Sequence, residues 1–349
     1  MEAWVVVEHG EPLQNIQLPF PELKRSEVLI EVTHSGICHT DLHFWEGFYD
    51  LGGGKRLRMV DRGIELPRAM GHEILGNVAN LGPEARGLAL GDRRIVFPWL
   101  GCGHCKTCEA GDENLCDRPQ SIGLFSHGGM ASFVVVRHPR YLVDPGSLDP
   151  AVACTYGCSG TTVFSAVQKL FPLVSSRTVV VVGAGGLGLS AISILRALGH
   201  TSIISIDINP HSRQAAIKAG AVAAIDGKVE DARDRLFAAT GGPIFSVLDC
   251  VNSSDTAALS FSILAKGGKM VQVGLLGGVL NLSLVALVAR SATIMGSTTG
   301  NIGHMEEIVR LAKKGQLAPL PVTTMPRATA QEALMLLREG KVTGRLVLT

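Results

Sequence analysis

"RTVVVVGAGGLGLSAISILRALG", residues 177–199, sets an all-valine run against a glycine turn and then an apolar stretch of helical period. Four successive valines mark a strand covered on both faces, as in a parallel sheet. Gly183, Gly185 and Gly188 follow as G-x-G-x-x-G, a pattern that lets the chain turn tightly and lets backbone N–H groups at a helix start approach a pyrophosphate. Glycine triplets alone are common. Here the flanking strand and helix supply the context, and a second strand, "SIISID", ends in Asp207, nineteen residues after Gly188. A carboxylate there accepts hydrogen bonds from an adenosine ribose and repels a 2′-phosphate, so NAD is expected over NADP, with His211 and Arg213 close by as the counter-argument.

Working outward, strand and helix patterns keep alternating: "SRQAAIKAG", "SVLDCV", "TAALSFSILA" and "KMVQVG" continue the run. This predicts an α/β chain whose residues 159–298 form a doubly wound parallel sheet. Residues 1–158 are rich in Pro, Gly, Val and short alternating runs such as "SEVLIEV" and "ASFVVV", the texture of a β-rich domain with long loops. The tail, 299–349, carries two helical patterns and a last strand, "GRLVLT". It is too short to stand alone and is expected to join the first domain.

The 349 residues carry 32 basic and 31 acidic side chains, a net charge of +1, with no long like-charge run. Nucleic acid is therefore not an expected partner; a small molecule is. Glu2 and Glu8 stand where a signal peptide needs positive charge, so the cytoplasm is the expected compartment. The uncharged stretches 178–195 and 274–289 are broken by glycines and too short for a comfortable span, so no membrane contact is expected.

Eight cysteines in such a chain point to metal or redox sites rather than to a disulfide framework. In "CGHCKTCEAGDENLC", Cys102, Cys105, Cys108 and Cys116 are spaced C-x2-C-x2-C-x7-C. Four soft thiolates on one compact lobe make a closed tetrahedral zinc site. An iron–sulfur cluster fits the first three cysteines, but the fourth comes late and the expected proline after it is displaced. "GICHTDLH" and "GHE" bring together Cys38, His39, Thr40, Asp41, His43, His72 and Glu73, a density of ligand and proton-transfer groups that a core does not need. Cys38 and His72 would give a catalytic zinc two ligands, and a third is required. In "AVACTYGCSGTTV", residues 151–163, Cys154 and Cys158 are one helical turn apart, and spacing alone leaves them equivalent.

Taken in order, "GICHTDLH", "GHE", the four-cysteine lobe, "CSGTTV", "VGAGGLG" with Asp207, "GSTTGN" and the terminal "GR" resemble the zinc-dependent medium-chain alcohol dehydrogenases of bacterial and yeast type. The resemblance implies a GroES-like catalytic domain beside a Rossmann-type domain, and NAD-dependent interconversion of alcohols with aldehydes or ketones. It also implies two zinc ions per subunit. It places the catalytic zinc on Cys38, His72 and Cys158, with Asp41 orienting His72 and Glu73 as a nearby carboxylate. Thr40 and His43 fall on a proton relay, and Trp45 and Trp99 on the substrate pocket. For the cofactor it implies His39, Arg345 and the Gly183, Gly185, Gly186, Leu187, Gly188 turn at the pyrophosphate. Asp207 and Arg213 fall at the adenosine end, and Thr162, Val251, Val273 and Ser297 toward the nicotinamide. A homotetramer built from dimers is implied, with the strand near "ATIMGS" pairing between subunits.

Two departures from that pattern stand out. The stretch between Cys38 and His72 is long, with three successive glycines and with Lys55, Arg56, Arg58 and Arg62. It reads either as a solvated hairpin or subunit contact, or as a rim that narrows the pocket or attracts an anionic substrate. The stretch between Trp99 and Cys102 is short, which bears on how Trp99 faces the pocket. Polyol, acidic and coenzyme A thioester alcohols are the alternative substrate classes.

Overall fold

The computed structural model describes residues 1–349. The valine run forms the strand Val179–Val182, each residue at most 2% exposed. Burial stabilises each such side chain by about 1.5–3 kcal/mol. It lies at the centre of a six-stranded sheet, paired in parallel with Ile203–Asp207 on one side and Ile244–Asp249 on the other. Numbered in chain order as Val179–Val182, Ile203–Asp207, Ala223–Asp226, Ile244–Asp249, Leu264–Gln272 and Thr293–Gly296, its strands run 3-2-1-4-5-6, all parallel. The order reverses between the first and fourth strands, and ligands of such sheets bind outside the carboxyl ends at that point.

The β-rich part centres on the long strand Val28–Ile37, which pairs antiparallel with Glu73–Leu81. The last strand, Arg345–Leu348, pairs with Val28–Ile37 on its other side, and Val322–Met325 pairs with it in turn at the edge of the sheet. The helix Ile302–Lys313 divides its buried face, with Met305 and Val309 in the core of the first sheet and Ile308 and Leu311 in the core of the parallel sheet. It therefore joins the two cores rather than belonging to one. No helix is long and apolar enough to cross a membrane.

The long stretch after Cys38 becomes a hairpin, Phe48–Gly52 with Lys55–Arg58. Its tip is not free. A Cβ on Gly52 would stand 2.5 Å from the Gly278 carbonyl carbon, so the hairpin packs directly on the loop that follows the strand Leu264–Gln272 of the parallel sheet. The chain thus closes one side of the cleft between its two sheets.

Candidate functional site: two thiolate clusters and a dinucleotide turn

The strand Val28–Ile37 ends at Cys38, which caps the helix His39–Glu46. The Asp41 carboxylate accepts from the Cys38 N–H at 2.9 Å and from the Gly71 N–H at 3.0 Å. Its Oδ1 also stands 3.2 Å from His72 Nδ1, off the line of a hydrogen bond, and neither ring nitrogen of His72 has a hydrogen-bond partner. One carboxylate thus ties together the backbone around Cys38 and His72. A carboxylate facing Nδ1 favours the tautomer protonated there, which would leave Nε2 for a metal.

Cys158 joins them from the start of the helix Ser159–Leu170. The ligand atoms of Cys38, His72 and Cys158 lie within 4.8 Å of one another, and all three residues are buried. The neighbouring Cys158 thiol holds Cys38 below the ordinary thiol range, while Cys38 and burial together hold Cys158 above it. A divalent cation binding both as thiolates removes that competition for a proton. Cys154 takes no part. The segment is not one helix: Cys154–Gly157 is a separate 3-10 turn, and Cys158 leaves helical geometry at φ −124°, ψ −77°. The two thiols are therefore not on one face, and Cys154 donates instead to the Ala151 carbonyl at 3.3 Å. Burial raises its pKa, which keeps it a thiol.

The second cluster is the four-cysteine lobe. Its Sγ–Sγ distances include 3.5, 3.8 and 3.9 Å, too long for disulfides. Four thiolates at zinc–sulfur distance in a tetrahedron stand about 3.8 Å apart, so the spacing suits zinc. The N–H groups of Cys102 and Arg118 both point at Cys116 Sγ, at 3.4 and 3.3 Å. Such donors stabilise a thiolate.

At the dinucleotide turn each glycine has a different reason. Gly183 takes φ +86°; a Cβ on Gly188 would stand 1.8 Å from the Gly183 carbonyl oxygen; Gly185 has nothing within 4 Å. The third glycine is needed to pack helix on strand, while the second leaves open space where a pyrophosphate would sit. Gly188→Ala is therefore expected to misfold or lose several kcal/mol. Gly185→Ala should keep its melting temperature and weaken NAD binding on the order of tenfold, both measurable by calorimetry.

Arg345 links the turn to the metal cluster. Its Nε lies so close to Gly186 that a Cβ there would be 2.5 Å away, and that Nε has no partner. Its Nη2 stands 3.5 Å from Glu73 Oε1, which also accepts the Ser159 N–H at 3.0 Å. Burial pushes the Glu73 carboxyl up to about 7 against the pull of Arg345. Thr162 Oγ1 is another buried, unpaired polar atom. Val251 packs on Gly183, Val273 is buried at the next strand end, and Ser297 accepts from Lys169 at 2.8 Å. Leu187 is partly buried against the core of the parallel sheet, and His39 is exposed.

Asp207 ends its strand with Oδ2 accepting the Ala184 N–H at 2.6 Å and Oδ1 accepting the Asn209 N–H at 2.7 Å. Arg213 donates to the Asp207 carbonyl at 2.9 Å and pairs with Asp226 at 3.0 Å. These two contacts engage the guanidinium that a 2′-phosphate would need, while the carboxylate of Asp207 stays at the strand end.

The two tryptophans part company. Trp99 stands by the cluster, its ring 5.2 Å from that of His72. Trp45, expected at the substrate pocket, is instead turned to the N-terminal segment: its Nε1–H donates to the Glu11 carbonyl at 2.7 Å, and Arg338 lies 5.4 Å over its ring. The residue beside His43 is Tyr49, ring to ring 5.0 Å, with its phenol next to Thr40. Tyr49 was not singled out in the sequence, because only the turn at Gly47, φ +87°, brings the chain back over the helix.

The profile described as "Alcohol dehydrogenase GroES-like domain" matches residues 24–145, and that described as "Zinc-binding dehydrogenase" matches residues 186–314. An NAD-dependent alcohol dehydrogenase of Sulfurisphaera tokodaii is 37% identical over 351 residues, covering 100% of this chain and 99% of that protein. The chain belongs to the zinc-dependent medium-chain alcohol dehydrogenase family. A further member, the NAD-dependent alcohol dehydrogenase of Saccharolobus solfataricus, is 36% identical over 100% of this chain and 99% of its own length. Among solved members, the alcohol dehydrogenase of Aeropyrum pernix superposes with a TM-score of 0.90 at 27% identity, covering 100% of this chain and 99% of that one. The family fold thus comprises the GroES-like and the Rossmann-type parts described above.

Proposed function

We propose that this chain is an NAD-dependent alcohol dehydrogenase in which Cys38, His72 and Cys158 hold the catalytic zinc and the four-cysteine lobe holds a structural one. The observation that carries the reading is the contact chain from Ser159, the neighbour of Cys158, through Glu73 and Arg345 to Gly186, which links the three-ligand cluster to the dinucleotide turn. When bound, zinc supplies a Lewis acid for the alcohol or carbonyl oxygen and NAD a hydride acceptor or donor.

The chain's own groups do the rest. Asp41 orients His72, and Arg345 brings positive charge to the pyrophosphate. The Asp207 carboxylate meets the adenosine ribose. Thr40 and His43 carry the alcohol proton away from a cleft closed by Tyr49, Trp99 and the hairpin. His43 Nε2 is buried without a partner, as a relay awaiting a donor requires. Burial lowers the His43 pKa below its ordinary 6.5, so the imidazole stays neutral and able to accept a proton at pH values under 6.5. Alcohol oxidation by the wild-type protein should therefore hold up to below that pH. His43→Gln should lower kcat on the order of tenfold to hundredfold and abolish that acid limb, as a pH–rate profile would read.

The assembly we propose is a homotetramer made of dimers. Thr293–Gly296 is an edge strand of the parallel sheet, and beside it Leu284, Val285 and Val288 are each at least 76% exposed. Unpaired edges and apolar patches of this kind are usually covered; sedimentation should find no monomer at micromolar concentration. The free thiols suit a reducing compartment, and we place the protein in the cytoplasm. The direct test of the activity is nicotinamide absorbance with primary, secondary, aromatic and acidic alcohols, using NAD and NADP in parallel. Equal rates with both cofactors would remove the role given to Asp207.

A further inference from the structure

We propose that Arg62 reads a negative charge on the substrate, so that the alcohol preferred by this chain carries a carboxylate or a similar acidic group. The inference rests on the dehydrogenase reading and adds the substrate class to it.

Of the four basic residues in the long stretch after Cys38, three face solvent. Lys55, Arg56 and Arg58 lie on a strand exposed at every position. Arg58 is paired with Asp61 at 2.8 Å, and Arg56 stacks 3.9 Å over Phe48. Arg62 differs. It is half-buried in the single turn Val60–Arg62, its guanidinium 5.7 Å over the Tyr49 ring and 6.0 Å over the Phe125 ring. No carboxylate oxygen of the protein pairs with it, whereas Glu46, the acid nearest His43, faces His43 at 3.8 Å and Arg338 at 3.9 Å.

Both aromatic neighbours belong to the cleft. Tyr49 packs on His43, and its phenol lies beside Thr40 as well as beside Arg62. Phe125 sits in a loop so close to the metal cluster that a Cβ on Gly123 would be 3.3 Å from His72 Cβ. The cation is therefore one aromatic ring away from the proposed relay. Its carrier is fixed at both ends. The Met59 N–H donates to the Gly47 carbonyl at 2.8 Å, and the hairpin tip rests on Gly278.

A guanidinium between two rings gives up part of its hydration and gains only a modest cation–π attraction. A carboxylate, which can meet it through two parallel hydrogen bonds, restores what is lost and binds far better than a neutral group. The rest of the cleft wall, Trp99, Tyr49 and Phe125, suits an aliphatic or aromatic spacer between that acid and the reacting hydroxyl.

The test compares kcat/KM for 6-hydroxyhexanoate with that for its methyl ester, in the zinc-loaded full-length protein with NAD. Wild type should favour the acid by roughly tenfold or more. Arg62→Leu should bring the ratio close to one, Arg62→Lys should restore part of it, and Arg56→Gln on the exposed strand should keep it. No preference in wild type, or a preference undiminished in Arg62→Leu, overturns the proposal. If no alcohol is oxidised, the dehydrogenase reading falls separately. Calorimetric titration of 6-hydroxyhexanoate into the NAD-loaded protein then still reads Arg62: weaker binding by Arg62→Leu supports its role, and equal affinity overturns it.

Discussion

Replacing Cys158 by alanine is expected to lower the zinc content from two ions per chain to one and to cost on the order of a thousandfold or more in kcat/KM. Lewis-acid activation is worth several kcal/mol of transition-state stabilisation, and each 1.36 kcal/mol is about tenfold in rate. The fold should survive. Cys158 begins a helix whose stability comes from its buried face, Val163, Phe164, Ala166, Val167 and Leu170, and not from the thiol. Elemental analysis, circular dichroism and steady-state kinetics on one preparation read all three quantities. An active Cys158→Ala protein that keeps both ions would show that the ligand set is wrong, and loss of the second ion on also replacing Cys154 would identify the substitute.

Cys105→Ala should do the opposite. The lobe between Gly101 and Arg118 contains only short helical turns, Lys106–Glu109 and Glu113–Leu115, so little apolar burial is available to hold it without metal. Structural zinc sites contribute folding free energy outright. A loss on the order of 3 kcal/mol or more is expected, with a melting temperature lower by roughly 5–10 °C. Limited proteolysis should cut first within the lobe. Because the three-ligand cluster is built from other elements, the catalytic zinc should stay, and the surviving folded fraction should keep turnover per zinc.

The difference between these two variants follows from how each site is encoded. The lobe lies within fifteen residues, so its spacing carries its geometry, and the Gly183 to Gly188 turn is equally local. The catalytic cluster draws on three distant segments. Cys38 and His72 stood out by their company, but choosing Cys158 over Cys154 needed a resemblance, since periodicity made them equal. Only the structure gives the physical reason: the chain leaves helical geometry at Cys158 and re-aims its thiol.

Side-chain direction was the least legible feature. Trp45 follows His43 closely in sequence, yet helical rotation carries it to the opposite face, where Glu11 and Arg338 meet it. Tyr49 reaches His43 because the hairpin folds back after Gly47, and Arg62 turns inward because Met59 is tied to that same glycine. Neither strand pairing nor that tie has a local signal. The long basic stretch could be read from composition as a solvated loop or as an anion-attracting rim. The structure divides it: an exposed strand for Lys55, Arg56 and Arg58, and a place against the cleft for Arg62. Arg213 shows the converse, a cation suspected of serving the cofactor that is engaged by Asp226 and a main-chain carbonyl.

The central claim is that one zinc, held by Cys38, His72 and Cys158, shares its cleft with the nicotinamide of NAD. Diffraction at the zinc edge from crystals grown with NAD tests it directly. The account predicts two anomalous peaks per chain, one within bonding distance of Cys38 Sγ, His72 Nε2 and Cys158 Sγ and one among the four lobe cysteines. It also predicts the pyrophosphate at Gly185 beside Arg345 and the nicotinamide toward the first peak. A single peak in the lobe, or a nicotinamide directed away from Cys158, would contradict it.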